Sequence, residues 1–446
     1  MKKILKKLYQ KPQLLILETY ILVIFIGAII LTLPISSSNG EYTPFIDAFF
    51  TSTSAFCVTG LVTVTSATYW NLFGKIIILL IIQLGGIGIM TLTAMVFIFL
   101  NKNISLKQRA LMQEESNSSN RRGIVKLMKY IMYSTFIIET VGAILLSFEF
   151  IPQYGVVKGI WFSIFHSISA YCNAGFDIIS ENSLNSYASN LIIILSISSL
   201  IILGGIGFRV YSDVLENKCF SKLKIQSKIA IKYTVILLVI GCILFLFIEW
   251  NNPLTMKEDN LFSKLMKAFF QSVTTRTAGF FSINQANLKD ASAFVTIILM
   301  FIGGSSGGTA GGIKITTFAT LLGFISAQLN SRSEIVILKR RIPEDTVRKA
   351  VSITVISAIW VVFISFLLMI TEKKASSLDV IFEVTSAFAT VGITRGLTPV
   401  LTIFGKIAII ITMVFGKIGP LGLLFALSKK KKNVSFKEAT ENIMVG

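Results

Sequence analysis

Apolar runs of about twenty residues recur along the chain, separated by polar stretches and by shorter mixed runs. Residues 14–33, 76–100 and 229–247 are each long enough, at ~20 residues, to cross a ~30 Å hydrocarbon layer as helices. The first two bracket a polar segment at 36–43, a mixed run at 44–56 and a glycine. At about 13 residues the mixed run is too short to span, and Pro44 suits the first turn of a helix, where its missing N–H costs nothing. It is expected to dip into the membrane and return, which non-helical backbone can do only where it lines a water-filled cavity or is buried in protein.

The same order recurs four times. Gly60, Gly175, Gly279 and Gly392 each close a short run: Cys57-Val58-Thr59-Gly60, Cys172-Asn173-Ala174-Gly175, Arg276-Thr277-Ala278-Gly279 and Ala389-Thr390-Val391-Gly392. A phenylalanine stands ten residues before each glycine: Phe50, Phe165, Phe269 and Phe382. A second glycine cluster follows, at 85–88, 204–207, from 303 and at 416–419. The expected units are 1–100, 101–223 with its cytoplasmic link, 224–330, and 331–428, followed by a tail at 429–446. Each unit reads as helix, pore loop, helix. The fold class is an all-α integral membrane protein, with eight transmembrane helices as four repeats around one pseudo-fourfold pore.

Composition supports this class: of 446 residues, 53% are hydrophobic and 15% charged, with a mean hydropathy of +0.74. The first apolar run lacks a small-residue cleavage site and is expected to be retained. The net charge of +19 gathers at Lys2, Lys3, Lys6, Lys7 and Lys11, in the links 102–129, 209–232 and 332–349, and at 429–432. By the positive-inside rule these segments and both termini are cytoplasmic, so each unit crosses twice. Charge placed this way is a topology signal, not a nucleic-acid footprint. Its return to one side after every unit argues for parallel repeats rather than an inverted-repeat carrier, the main transporter alternative. Cys57, Cys172, Cys219 and Cys242 have no spacing that suggests a disulfide framework or zinc site. One histidine and scattered acids supply no catalytic constellation, so an enzyme is not expected.

Four re-entrant loops around one axis can present rings of carbonyl oxygens in place of an ion's hydration shell. Short helices pointing their C-terminal ends at that axis favour cations. The residues before each glycine carry no carboxylate, which argues against calcium or magnesium and for a monovalent cation. The third unit adds Gly303, Gly304, Ser305, Ser306, Gly307, Gly308, Thr309, Ala310, Gly311 and Gly312, enough glycine to break its second helix in mid-membrane and form a movable plug. A phosphate-binding loop is excluded because Ile313, not Lys-Ser/Thr, follows. Lys314 and Lys417 are expected to hydrogen-bond loop carbonyls in the closed state. Arg276 is expected behind its glycine, paired with Glu383 as a support. Glu18 and Glu139 suit interhelical hydrogen bonds, His166 a packed position, and Asp177 and Glu181 the outer mouth.

The runs at 275–280 (TRTAGF), 390–394 (TVGIT) and 303–312, with the ending Val445-Gly446, resemble the KtrB/TrkH/HKT superfamily of potassium transporters and channels, over essentially the whole chain. Within it, the chain resembles the membrane subunits of bacterial Ktr uptake systems. The resemblance implies a potassium-selective single-chain pore in the bacterial plasma membrane, assembled as a homodimer. It also implies that 303–312 is the intramembrane gate, and that a cytosolic ring of KtrA type controls it by binding nucleotide (ATP/ADP or NAD). This chain carries no nucleotide-binding unit of its own, so potassium is its only expected ligand. Cys57, Cys172 and Ala389 depart from the family's usual Thr, Asn and Gly, and Lys417 from its arginine. Sodium coupling is left open.

Overall fold

The structure is a computed structural model and describes residues 12–88, 124–332 and 334–419, together with Thr91, Arg109 and Met112. The N-terminal lysines, the second half of the run at 76–100 apart from Thr91, the link at 102–123 apart from Arg109 and Met112, and the tail at 429–446 lie outside the described residues. The first unit comprises α1 (Pro12–Thr32), α2 (Phe45–Cys57) and α3 (Leu72–Ile87). The second has α4 (Ile124–Tyr154), α5 (Val156–Tyr171), α6 (Leu191–Ile206) and α7 (Phe208–Asn217). The third has α8 (Ile225–Glu249), α9 (Leu261–Thr274), α10 (Asp290–Phe301) and α11 (Ile315–Leu329), and the fourth α12 (Glu344–Thr371), α13 (Ser377–Phe388) and α14 (Ile403–Ile418).

Long helix, short helix, second helix: that order recurs four times, and packing closes it into a ring. Each short helix packs on the long helix of its own unit. Each second helix also touches the short helix of the next unit: α3 with α5, α6 with α9, α10 with α13, and α14 back on α2. A repeated contact fixes the long helices to the short ones. Ser52, Ser167 and Ser272 donate their hydroxyls to the carbonyls of Ile24, Glu139 and Leu238 at 2.7, 2.6 and 2.8 Å. Gly27, Gly142 and Gly241 make the approach possible, since a Cβ there would lie 2.4, 2.6 and 2.4 Å from the hydroxyl oxygens of Ser52, Ser167 and Ser272.

Three expectations meet the described residues only in part. The first concerns the spans. Among the described residues only α1, α4, α8 and α12 are long and apolar enough to cross a membrane, or five spans when the bent pair α6–α7 is counted as one. The second helices stop early because Gly88, Gly207 and Gly419 follow them with φ of 91, 99 and 85°, a conformation that ends a helix. At Gly207 the chain turns by 91°. Helix breaking is thus shared by the units and not peculiar to the third. The second concerns a small hairpin pairing Val336–Ile337 with Arg340–Arg341, which the all-α reading did not include. Leu338 and Lys339 form its turn at φ of 48 and 61°.

The third is one of frame. Phe50, Phe165 and Phe382 are fully buried, but in the third unit the buried ring is Phe270, while Phe269 is only half-buried. Counted from Phe270, Ser272 and Thr274 fall where the other units place Ser52 and Ser54, or Ser167 and Ser169. The third turn is therefore one residue shorter, and constant spacing to the glycine picked the neighbouring phenylalanine.

Candidate functional site

The ring brings the four glycine turns together. Val58, Asn173, Thr277 and Thr390 are left-handed, with φ of 58, 59, 66 and 50°, and two residues later Gly60, Gly175, Gly279 and Gly392 have φ of 96, 68, 79 and 93°. Left-handed valine and threonine are strained, so the surrounding packing must hold them. The residues between, Thr59, Ala174, Ala278 and Val391, keep negative φ, so the sign alternates along each turn.

The glycines meet each other across the units. A Cβ at Gly60 would fall 2.6 Å from Ala174 O, at Gly175 2.4 Å from Gly279 Cα, at Gly279 3.0 Å from Val391 O, and at Gly392 1.9 Å from Thr59 O. Only glycine fits at such separations. Hydroxyls on the short helices hold the turns. Ser54 and Ser386 accept from the N–H of Gly60 and Gly392 at 3.0 and 3.1 Å. Ser169 donates to Phe176 O at 2.9 Å, and Thr274 to Phe280 O. The second glycine cluster seats the short-helix ends: a Cβ at Gly85, Gly204 or Gly416 would lie within 1.9 Å of the carbonyl of Phe56, Tyr171 or Phe388.

In the third unit the position of Phe56, Tyr171 and Phe388 is taken by Arg276, which is buried. Its Nη1 donates to Ile302 O at 2.9 Å, at the entry to the glycine-rich loop. This replaces the expected pair with Glu383, whose carboxylate instead accepts from Thr394 at 2.6 Å and from Thr398. The arginine points down to the loop, whereas Glu383 faces the segment leaving the fourth turn.

Residues 303–312 cross beneath the turns. Ser305 and Thr309 donate their N–H groups to Gly205 O and Gly204 O at 2.9 and 3.3 Å, and Phe208 N donates to Gly307 O at 3.0 Å. On the far side Gly311 abuts the fourth turn, where a Cβ would lie 2.2 Å from Thr390 Oγ1. Both expected lysine contacts are present. Lys314 donates to Ala310 O, and Lys417 to Thr309 O at 3.4 Å. A cavity of about 300 Å³ opens below the loop, lined by both lysines, Arg209, Gly88 and Gly419 among others.

Cys172 lies beside Gln83 and Glu139, with Sγ 3.4 Å from Gln83 Oε1, while Gln83 donates to both Glu139 oxygens at 3.1 and 3.0 Å. Glu139 thus makes its expected interhelical bond, but Glu18 stands exposed on α1. His166 is packed as expected, among Phe150, Phe162, Phe165 and Phe280. Asp177 turns inward, accepting from Ile179 N and Ser180 N at 2.6 and 3.2 Å, while Glu181 is exposed.

The sequence profile of the TrkH family, described as cation transport protein, matches residues 6–437. The chain is 41% identical over its whole length to the potassium/sodium uptake protein NtpJ of Enterococcus hirae, covering 99% of that protein. It is 39% identical to the Ktr system potassium uptake protein B of Bacillus subtilis, over 95% of this chain and 94% of the relative. Among solved structures, the potassium transporter TrkH of Vibrio parahaemolyticus has the same fold, with a TM-score of 0.71 at 19% identity over 93% of this chain and 84% of that one.

Proposed function

The chain belongs to the TrkH family of cation transport proteins, and on that premise we propose that it is the ion-conducting membrane subunit of a Ktr-type potassium uptake system. One observation carries the reading: four turns of alternating φ sign meet at one axis through glycines. Alternating signs turn successive carbonyls to the same side, which suits rings of oxygens around a dehydrated potassium ion. Residues 57–60, 172–175, 276–279 and 389–392 form this filter, and residues 303–312 gate it from the cytoplasmic side. Lys314 and Lys417 hold the gate closed. The protein crosses the plasma membrane eight times with both termini in the cytoplasm, pairs as a homodimer, and is opened by a separate cytosolic nucleotide-binding ring. No covalent chemistry is involved; the protein is not an enzyme.

The name of the Enterococcus relative favours a second reading, in which sodium shares or couples to the path. Both are tested by flux into proteoliposomes with and without the matching cytosolic regulator, potassium against sodium, in wild type and Gly60→Ser. Dominant potassium flux that the substitution blunts is expected. Equal flux of the two ions would favour the second reading, and no flux of either under any condition would refute both.

Orientation has its own test. Cys219 is exposed at the end of the α7 link, and the hydroxyl and backbone of Ser221 hold its thiol below the usual thiol range. A lowered pKa leaves more thiolate at neutral pH, so alkylation of Cys219 should persist to lower pH than that of an ordinary cysteine. A membrane-impermeant maleimide should label it in inside-out vesicles only, while buried Cys57 and Cys172 stay unreacted. Labelling of Cys219 from the outside of cells would invert the topology.

A further inference from the structure

The short helices share a polar position that the glycine turns do not use. Directly after the buried phenylalanines Phe50, Phe165, Phe270 and Phe382 stand Thr51, His166, Gln271 and Glu383, all at 0% exposure. A polar side chain so buried destabilises the fold unless it finds a partner. Two find hydrogen-bond partners on the segment leaving their own glycine turn, and the third faces a carboxylate there. His166 Nε2 lies 3.3 Å from Asp177 Oδ1, two residues past Gly175, at ion-pair distance but without hydrogen-bond geometry, while its Nδ1 is 2.8 Å from Phe162 O. Gln271 and Gln285, the latter six residues past Gly279, exchange amide hydrogen bonds at 2.8 and 2.9 Å. Glu383 accepts from Thr394 and Thr398, two and six residues past Gly392. In the first unit Thr51 Oγ1 is buried with no hydrogen-bond partner among the described residues.

We propose that His166, Gln271 and Glu383 are positioning residues that brace the second, third and fourth turns, and that the first turn, lacking a brace at Thr51, is the compliant quadrant of the filter. The proposal rests on the reading of the turns as an ion filter. Backbone carbonyls distinguish ions of similar charge only as far as their spacing is held against the pull of the smaller one. A hydrogen bond or a close charged contact from the helix to the exit segment holds both ends of a turn. The braces are an imidazole facing a carboxylate, an amide pair, and a carboxylate with two hydroxyls, so this function has one location but three chemistries.

The test is the ratio of potassium to sodium flux in proteoliposomes containing the full chain and its regulator. The double variant Gln271→Leu with Gln285→Leu removes the third brace without leaving an orphan amide. It should lower the ratio about tenfold, equivalent to about 1.4 kcal/mol. Glu383→Gln can still accept from one threonine and donate to the other, and should stay within about threefold of wild type. Thr51→Val should leave the ratio at the wild-type value. If the double variant does not reconstitute, Gln285→Ala, which alters only the exit segment, carries the same expectation. A wild-type ratio in the brace-deficient variant, or an equal loss in Thr51→Val, would overturn the proposal. Failure of the wild-type protein itself to prefer potassium would instead count against the filter reading.

Discussion

Gly392→Ala is expected to abolish potassium flux, by at least about a hundredfold, while Gly396→Ala, four residues on, should cost the protein some stability and leave flux intact. The two glycines have similar backbones, with φ of 93 and 101°, so an alanine at either bears a strain of about 1–3 kcal/mol. Their surroundings differ. The new methyl at 392 would sit 1.9 Å from Thr59 O and 2.9 Å from Gly60 Cα, whereas at 396 nothing lies within 4 Å. Both obstructing atoms at 392 are backbone, so no rotamer change relieves the overlap. Either the first and fourth turns separate or a methyl occupies the axis, and both outcomes spoil an ion site made of backbone oxygens. Flux in proteoliposomes, with thermal stability measured on the same preparations, separates strain from blockage. Equal flux in the two variants would mean that the glycine ring does not lie on the ion path.

The ring was legible in the sequence because backbone constraints leave strong marks. A position with positive φ and a neighbouring chain inside Cβ distance admits only glycine, and four such positions in constant order are visible without any structure. Less was visible where a constraint could be met in several ways. A buried ring is satisfied by Phe269 or Phe270 equally well on paper, and only the packing of Ser272 and Thr274 chooses. The breaks at Gly88, Gly207 and Gly419 hide inside apolar runs, since hydropathy does not register φ. The Arg276–Glu383 pair was inferred from opposite charge. The structure instead gives each a neutral partner close by: a carbonyl for the arginine and two hydroxyls for the carboxylate. The brace position escaped notice because Thr, His, Gln and Glu share no residue class, only burial and direction.

Lys314→Met is expected to raise potassium flux measured without the cytosolic regulator by about ten- to a hundredfold, and Lys417→Met by less. Residues 303–312 are held beneath the turns by backbone hydrogen bonds to Gly204, Gly205 and Phe208 of the second unit and by Lys417 of the fourth, while Lys314 folds back on Ala310 and fixes the shape of the loop itself. A hydrogen bond from a charged donor contributes about 1.5–3 kcal/mol, and each 1.4 kcal/mol shifts a closed-to-open equilibrium about tenfold. Methionine keeps most of the length and apolar bulk of lysine but donates nothing, so the loop loses its anchor without a cavity opening in its place. The order of effects follows from geometry: the Lys314 contact to Ala310 O is close, while Lys417 reaches Thr309 O only at 3.4 Å, near the limit of a hydrogen bond. That long contact also predicts the sign of the reverse change. Lys417→Arg places a longer, forked donor against the same carbonyls and should lower unregulated flux below wild type. Flux assays on the three variants, each with and without regulator, decide the matter. If Lys314→Met stays as quiet as wild type, or if Lys417→Arg leaks more, the lysines do not hold the loop shut, and the backbone bonds to α6 and α7 must carry the closed state alone.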